Sequence, residues 1–154
     1  MTSEEFKVLY NRDLRKLHAE VEQYASDELL WKVLPGTINS AGNLTQHLIG
    51  NLRTYIGLAL GGHPYVRNRN SEFADRLFTQ TTLLNELVSL QQIVSDSIGK
   101  LTPQKLVSEY PRSVLDMFPE QSISFMLTHI LAHLSYHLGQ INYHRRWITA
   151  SGDK

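Results

Sequence analysis

Apolar residues recur every three or four positions along four stretches of the chain. Phe6, Tyr10, Leu14, Leu17, Val21 and Tyr24 make the first stripe, which predicts an amphipathic helix from Ser3 to about Leu30. Glu4 and Glu5 suit its start, where acids complement the positive end of the helix dipole. The Pro-Gly pair between Trp31 and Ser40 marks a connection. A second helix is predicted from Ser40–Asn43 to about Leu60, with Leu44, Leu48, Leu52, Tyr55 and Ala59 on one stripe and Asn43, His47, Asn51 and Thr54 on the next. Gly61 and Gly62 stop it.

The segment from His63 to Arg76 has no lasting period and reads as a long connection with a helical turn near its end. Thr79 can cap a third helix that carries Leu83, Leu87, Leu90, Val94 and Ile98 on one face, with Gly99 just past its end. Pro103, Pro111 and Pro119 break the next stretch, leaving room for a short turn around Gln104 to Ser108. The fourth and longest pattern runs from Glu120 to about Ala150, with Ser122 as cap. No window alternates as a strand would, although a small hairpin in the proline-containing stretch is an alternative. Four such segments predict an all-α four-helix bundle over residues 1–154 as one domain.

On a wheel of about 100° per residue, Leu127, Ile130, Leu131, Leu134, Leu138 and Ile141 form the core face of the fourth helix. His129, His133, His137, Gln140 and His144 fall on an adjoining arc. At about 1.5 Å of rise per residue, His133 and His137 lie about 6 Å apart along the axis, while His129 and His144 are more than about 20 Å apart. One ion cannot take all four. Two imidazoles at i and i+4 can share one, as in H-E-x-x-H peptidases. Here the intervening residues are Leu-Ser-Tyr, so that peptidase glutamate is missing. A third ligand must come from another helix, and His47 is the best placed; its polar stripe reads equally well as the wet face of the second helix. His18, on a charged helix surface, and His63, beside a proline, are weaker candidates.

Composition narrows the chemistry further. Among 154 residues there is no cysteine, which excludes disulfides, thiolate metal sites and a Cys nucleophile. Fifteen basic residues balance fifteen acidic ones, so the basic excess expected of a nucleic-acid binder is missing. The apolar runs are too short for a membrane span and the charged N-terminal stretch does not read as a secretion leader. A cytoplasmic protein is the expectation.

The stretches NLTQHLIGNLR (Asn43 to Arg53) and HLSYHLGQINYHRR (His133 to Arg146), with H-x-x-x-H-x-G-Q-I as the most specific part, resemble the DinB-like, or YfiT-like, superfamily of four-helix metal-binding proteins. GNLRTYIG and RNRNSEF point to a branch of it known only as a domain of unknown function. The resemblance implies a three-histidine site of His47, His133 and His137, open at one position to zinc, nickel, manganese or iron and to a substrate. His129 and Gln140 would stand behind the ligands, and His144 at the rim. It also implies thiol-dependent transfer to a small electrophile, using a low-molecular-weight thiol that a chain without cysteine would have to borrow, and a homodimer. No carboxylate is evident beside the ligands. Glu72, near Arg67 and Arg69, is a candidate base, although a solvated charged loop is the simpler reading. The competing function is a non-catalytic metal-binding bundle that serves a structural or partner-binding role.

Overall fold

The computed structural model describes residues 1–114 and 121–152. Its long helices are α1 (Ser3–Glu22), α3 (Ala41–Leu52), α6 (Gln80–Gly99) and α8 (Ile123–Ala150); short ones are α2 (Asp27–Leu30), α4 (Ala59–Gly61), α5 (Arg69–Ala74) and α7 (Pro103–Leu106). A π-helical segment, Arg53–Leu58, joins α3 to α4. α1 and α3 each pack on both α6 and α8, so the apolar stripes meet in one core. Phe6, Tyr10, Leu14, Leu17 and Val21 of α1 and Leu83, Leu87, Leu90, Val94 and Ile98 of α6 are all buried in it, as expected. Among the described residues no strand forms. An antiparallel bridge pairs Glu109 with Ser122; residues 115–120 of the proline-containing stretch, where a small hairpin was the alternative, lie outside the described residues.

Local signals adjust the predicted boundaries. Thr2, one residue before Ser3, caps α1 in a capping box with Glu5. α1 stops at Glu22 rather than near Leu30, because Ser26 caps a fresh helix over Asp27–Leu30 and leaves Tyr24 in a turn with its ring buried. The continuous stripe concealed that break. Ser40, Thr79 and Ser122 cap α3, α6 and α8, while Glu120 and Pro119 lie outside the described residues. The turn expected at Gln104 to Ser108 is α7, with Pro103 in its first turn.

The long connection after α4 is tied down rather than loose. From α3, the Asn43 amide donates to the carbonyls of Glu72 and Phe73, and the Gln46 amide donates to those of Glu72 (2.6 Å) and Asp75 (2.7 Å). Gln46 in turn accepts from the Leu77 backbone N–H. The polar stripe of α3 is therefore a docking face for α5, not a wet surface. No described helix is long and apolar enough to cross a membrane.

Candidate metal centre

His47 sits mid-way along α3, and His133 and His137 lie one turn apart on α8, the helix packed against it. Their ring nitrogens lie within 4.8 Å of one another in an arrangement that can hold an ion. His133 Nε2 is 3.2 Å from His47 Nε2 and 3.1 Å from His137 Nε2. Nitrogens 3.1–3.2 Å apart and each about 2.05 Å from a shared ion subtend roughly 100° at it. That angle lies between octahedral and tetrahedral, so His133 is spaced from each of the other two as co-ligands of one ion would be.

Bonds on the far side of two rings set their tautomers. Glu72 Oε2 lies 2.9 Å from His47 Nδ1 and, as a carboxylate, can only accept, so Nδ1 carries the proton and Nε2 keeps its lone pair. Gln140 Oε1 does the same for His137 Nδ1 at 2.7 Å. His133 Nδ1 is buried without a partner among the described residues. Burial holds the pKa of His133 down to about 4, and it also lowers that of His137. Both rings are thus neutral near pH 7, the form a metal requires. Converging lone pairs repel unless a proton or cation lies between them, so the donor set fits a divalent ion.

Glu72 is the residue the sequence reading underrated. It is only 3% exposed rather than solvated, and Arg67 grips both its oxygens, at 2.7 Å through Nε and 2.9 Å through Nη2. Burial opposes its charge, but the bonds from His47 and Arg67 outweigh that and hold its pKa below the usual carboxylate range. A carboxylate does therefore stand beside the histidines. The Arg67 guanidinium lies over the Tyr55 ring of the π segment, and the Phe73 ring packs on His47 at 4.7 Å. Gly50 makes the seat possible: a Cβ there would stand 2.0 Å from Glu72 Oε1. The available signals were the Arg67–Glu72 spacing and Asn68, which caps α5.

The other candidates fall in different places. His129 is exposed on α8, outside the cluster, though its charge helps to lower the pKa of His133. His144 was expected at the rim and is instead 6% exposed, because the chain after α2 folds back over α8. Its Nε2–H donates to the Lys32 carbonyl, and the Tyr24 hydroxyl donates to its Nδ1, each at 2.7 Å. His18 lies half-buried on α1, and His63 lies in the connection after α4. Neither joins the three.

The chain matches a family described as "Protein of unknown function (DUF1572)" over residues 4–152 and belongs to it. Comparisons with curated proteins and with solved structures find no match.

Proposed function

We propose that this member of the DUF1572 family is a divalent-metal-dependent enzyme of the DinB-like type, with His47, His133 and His137 as ligands. The observation that carries the reading is the convergence of three histidine Nε2 atoms, 3.1–3.2 Å apart in two of the pairs, from two packed helices. The ring of four long helices supports the bundle assignment. An ion on three imidazoles would supply Lewis acidity and an open position at which a bound thiol or water loses its proton more readily. Zinc, nickel, manganese and iron all suit such a set.

The chain's own residues do the positioning. Glu72 holds the proton on His47 Nδ1 and so keeps Nε2 available, as an outer-shell carboxylate does for a ligating histidine. Gln140 does the same for His137. With both oxygens committed to Arg67 and one also to His47, Glu72 is a positioning residue and not a free base. The absence of cysteine leaves any sulfur nucleophile to be brought in by a low-molecular-weight thiol, and transfer of that thiol to a small electrophile is the activity proposed.

Elemental analysis of untagged protein tests the centre. One divalent ion per chain is expected, and protein that stays empty after zinc, nickel, manganese and iron are supplied overturns it. Turnover is tested by incubating the loaded protein with small thiols and electrophiles. Conversion lost in His133→Ala is expected; full metal occupancy with no conversion across the panel favours a structural ion.

A further inference from the structure

A cleft of about 640 Å³ opens beside the histidine cluster, between α8 and the connection that follows α2. Its volume falls within the range of small-molecule sites. His137 and Gln140 lie in its lining, so one end of the cleft includes a member of the three-histidine set itself. Leu44, one turn before His47 on α3, closes another side. The remaining wall is mostly apolar and aromatic, with Leu34, Ile38, Tyr136, Tyr143 and Trp147 beside the uncharged polar groups of Thr37 and Asn39 and the ring of His144. Among the described residues no Asp, Glu, Lys or Arg side chain lines it.

Two further features mark this wall as a binding surface. Ile38 is 90% exposed and Tyr143 74% exposed, apolar area that gains by being covered. The loop that carries Ile38 is also pre-shaped: the Thr37 N–H and hydroxyl both bond the Leu34 carbonyl, at 3.0 and 2.8 Å. A formed loop loses little entropy when a ligand settles on it.

We infer that this cleft binds an uncharged aromatic molecule that directs a donor atom toward the His137 end. The inference rests on the metal reading for the donor atom's destination and on the cleft alone for the aromatic ring. Away from the His137 end, a charged ligand would find no Asp, Glu, Lys or Arg among the described residues to pair with. A thiol bearing carboxylates would therefore gain nothing from the aromatic wall, which assigns that wall to the electrophilic partner.

The test compares acetohydroxamate, benzohydroxamate and 4-carboxybenzohydroxamate, which share a donor group, on the cobalt(II)-loaded protein. Cobalt absorption reports on the centre. The indole N–H resonance of Trp147, assigned with Trp147→Phe, reports on the cleft. Benzohydroxamate is expected to bind about tenfold tighter than acetohydroxamate, as suits a partly buried phenyl ring, and to shift the Trp147 resonance; the carboxylated analogue is expected to bind more weakly. Tyr143→Ala, at an exposed position, should erase the phenyl preference and leave cobalt content and acetohydroxamate affinity unchanged. Equal affinity for the three probes, or a second copy of the chain covering the cleft in sedimentation and released by Tyr143→Arg, overturns the inference. A silent cobalt spectrum with a Trp147 shift specific to benzohydroxamate removes the metal reading and leaves the cleft standing.

Discussion

His133 and His144 lie on the same helix, and burial lowers the pKa of both. They differ in where their nitrogens lead. Both nitrogens of His144 are used, one by the Lys32 carbonyl and one by Tyr24. His133 turns Nε2 toward two other Nε2 atoms and leaves Nδ1 without a partner among the described residues. A buried histidine with both nitrogens satisfied is a cross-link, here fastening the end of α8 to the chain around α2. Three histidines, one buried and two half-buried, whose ring nitrogens face one another are an arrangement that can hold a metal ion. Burial and pKa alone do not separate the two cases.

The largest expected contrast follows directly. His133→Ala should take bound metal from one equivalent to none, whereas His144→Ala should keep the ion and lose about 1–3 kcal/mol of stability with its two bonds. Metal content by elemental analysis and urea midpoints on the same samples would show it. Equal metal loss in both variants would erase the distinction.

Next in size is the support behind His47. Gly50→Ala would push a methyl into Glu72 Oε1, and Arg67 leaves that carboxylate nowhere to retreat. Metal affinity should fall roughly 10–100-fold, the usual cost of disturbing an outer-shell partner. Glu72→Gln should fall in the same range while disturbing the packing less. If titration of both variants with zinc gives wild-type affinity, Glu72 acts only as the counter-ion of Arg67.

The sequence made one half of this comparison more legible than the other. The i, i+4 spacing of His133 and His137 on an arc beside the core face follows from helix geometry, and period alone placed the four long helices. Whether His47 joins them was open because a polar stripe looks the same whether water or another helix covers it. What covers α3 is α5, drawn in by Asn43 and Gln46, which bond backbone carbonyls rather than side chains. Such bonds leave no trace in side-chain pattern. His144 was misplaced for the same reason, since its partners are a carbonyl and a tyrosine that joined the first stripe so smoothly that the break after Glu22 was hidden.

Protons should see the two regions alike where metals see them differently. With a chelator present, the unfolded chain takes up protons on its histidines as pH falls through about 6.5. Folded His133, His137 and His144 resist protonation, His133 down to about 4. The unfolded state then binds more protons, so stability declines from about pH 6.5 toward 4. The lowered carboxyls of Asp13, Glu20 and Glu72 add stability that is present above about pH 4.5 and lost below it, as pH falls through their folded values. His144→Gln and His133→Ala should each flatten the first decline in chelator. With saturating zinc at pH 7, only wild type and His144→Gln should gain thermal stability. A gain of the same size in His133→Ala would place the ion elsewhere.

The smallest effect is expected at Gln140, and it tests whether burial or mere contact makes an outer partner matter. Gln140 accepts from His137 Nδ1 at 2.7 Å, a bond shorter than that between His47 and Glu72. It is exposed, however, so in Gln140→Ala a water can take its place at little cost. Metal affinity should fall less than tenfold, and stability should stay within about 0.5 kcal/mol of wild type. Glu72 has no such substitute, because Phe73, Arg67 and α3 close around it. A loss at Gln140 as large as that in Glu72→Gln would mean that the tautomer of His137 is fixed by this side chain alone, and that exposure is no guide to which partner the centre depends on.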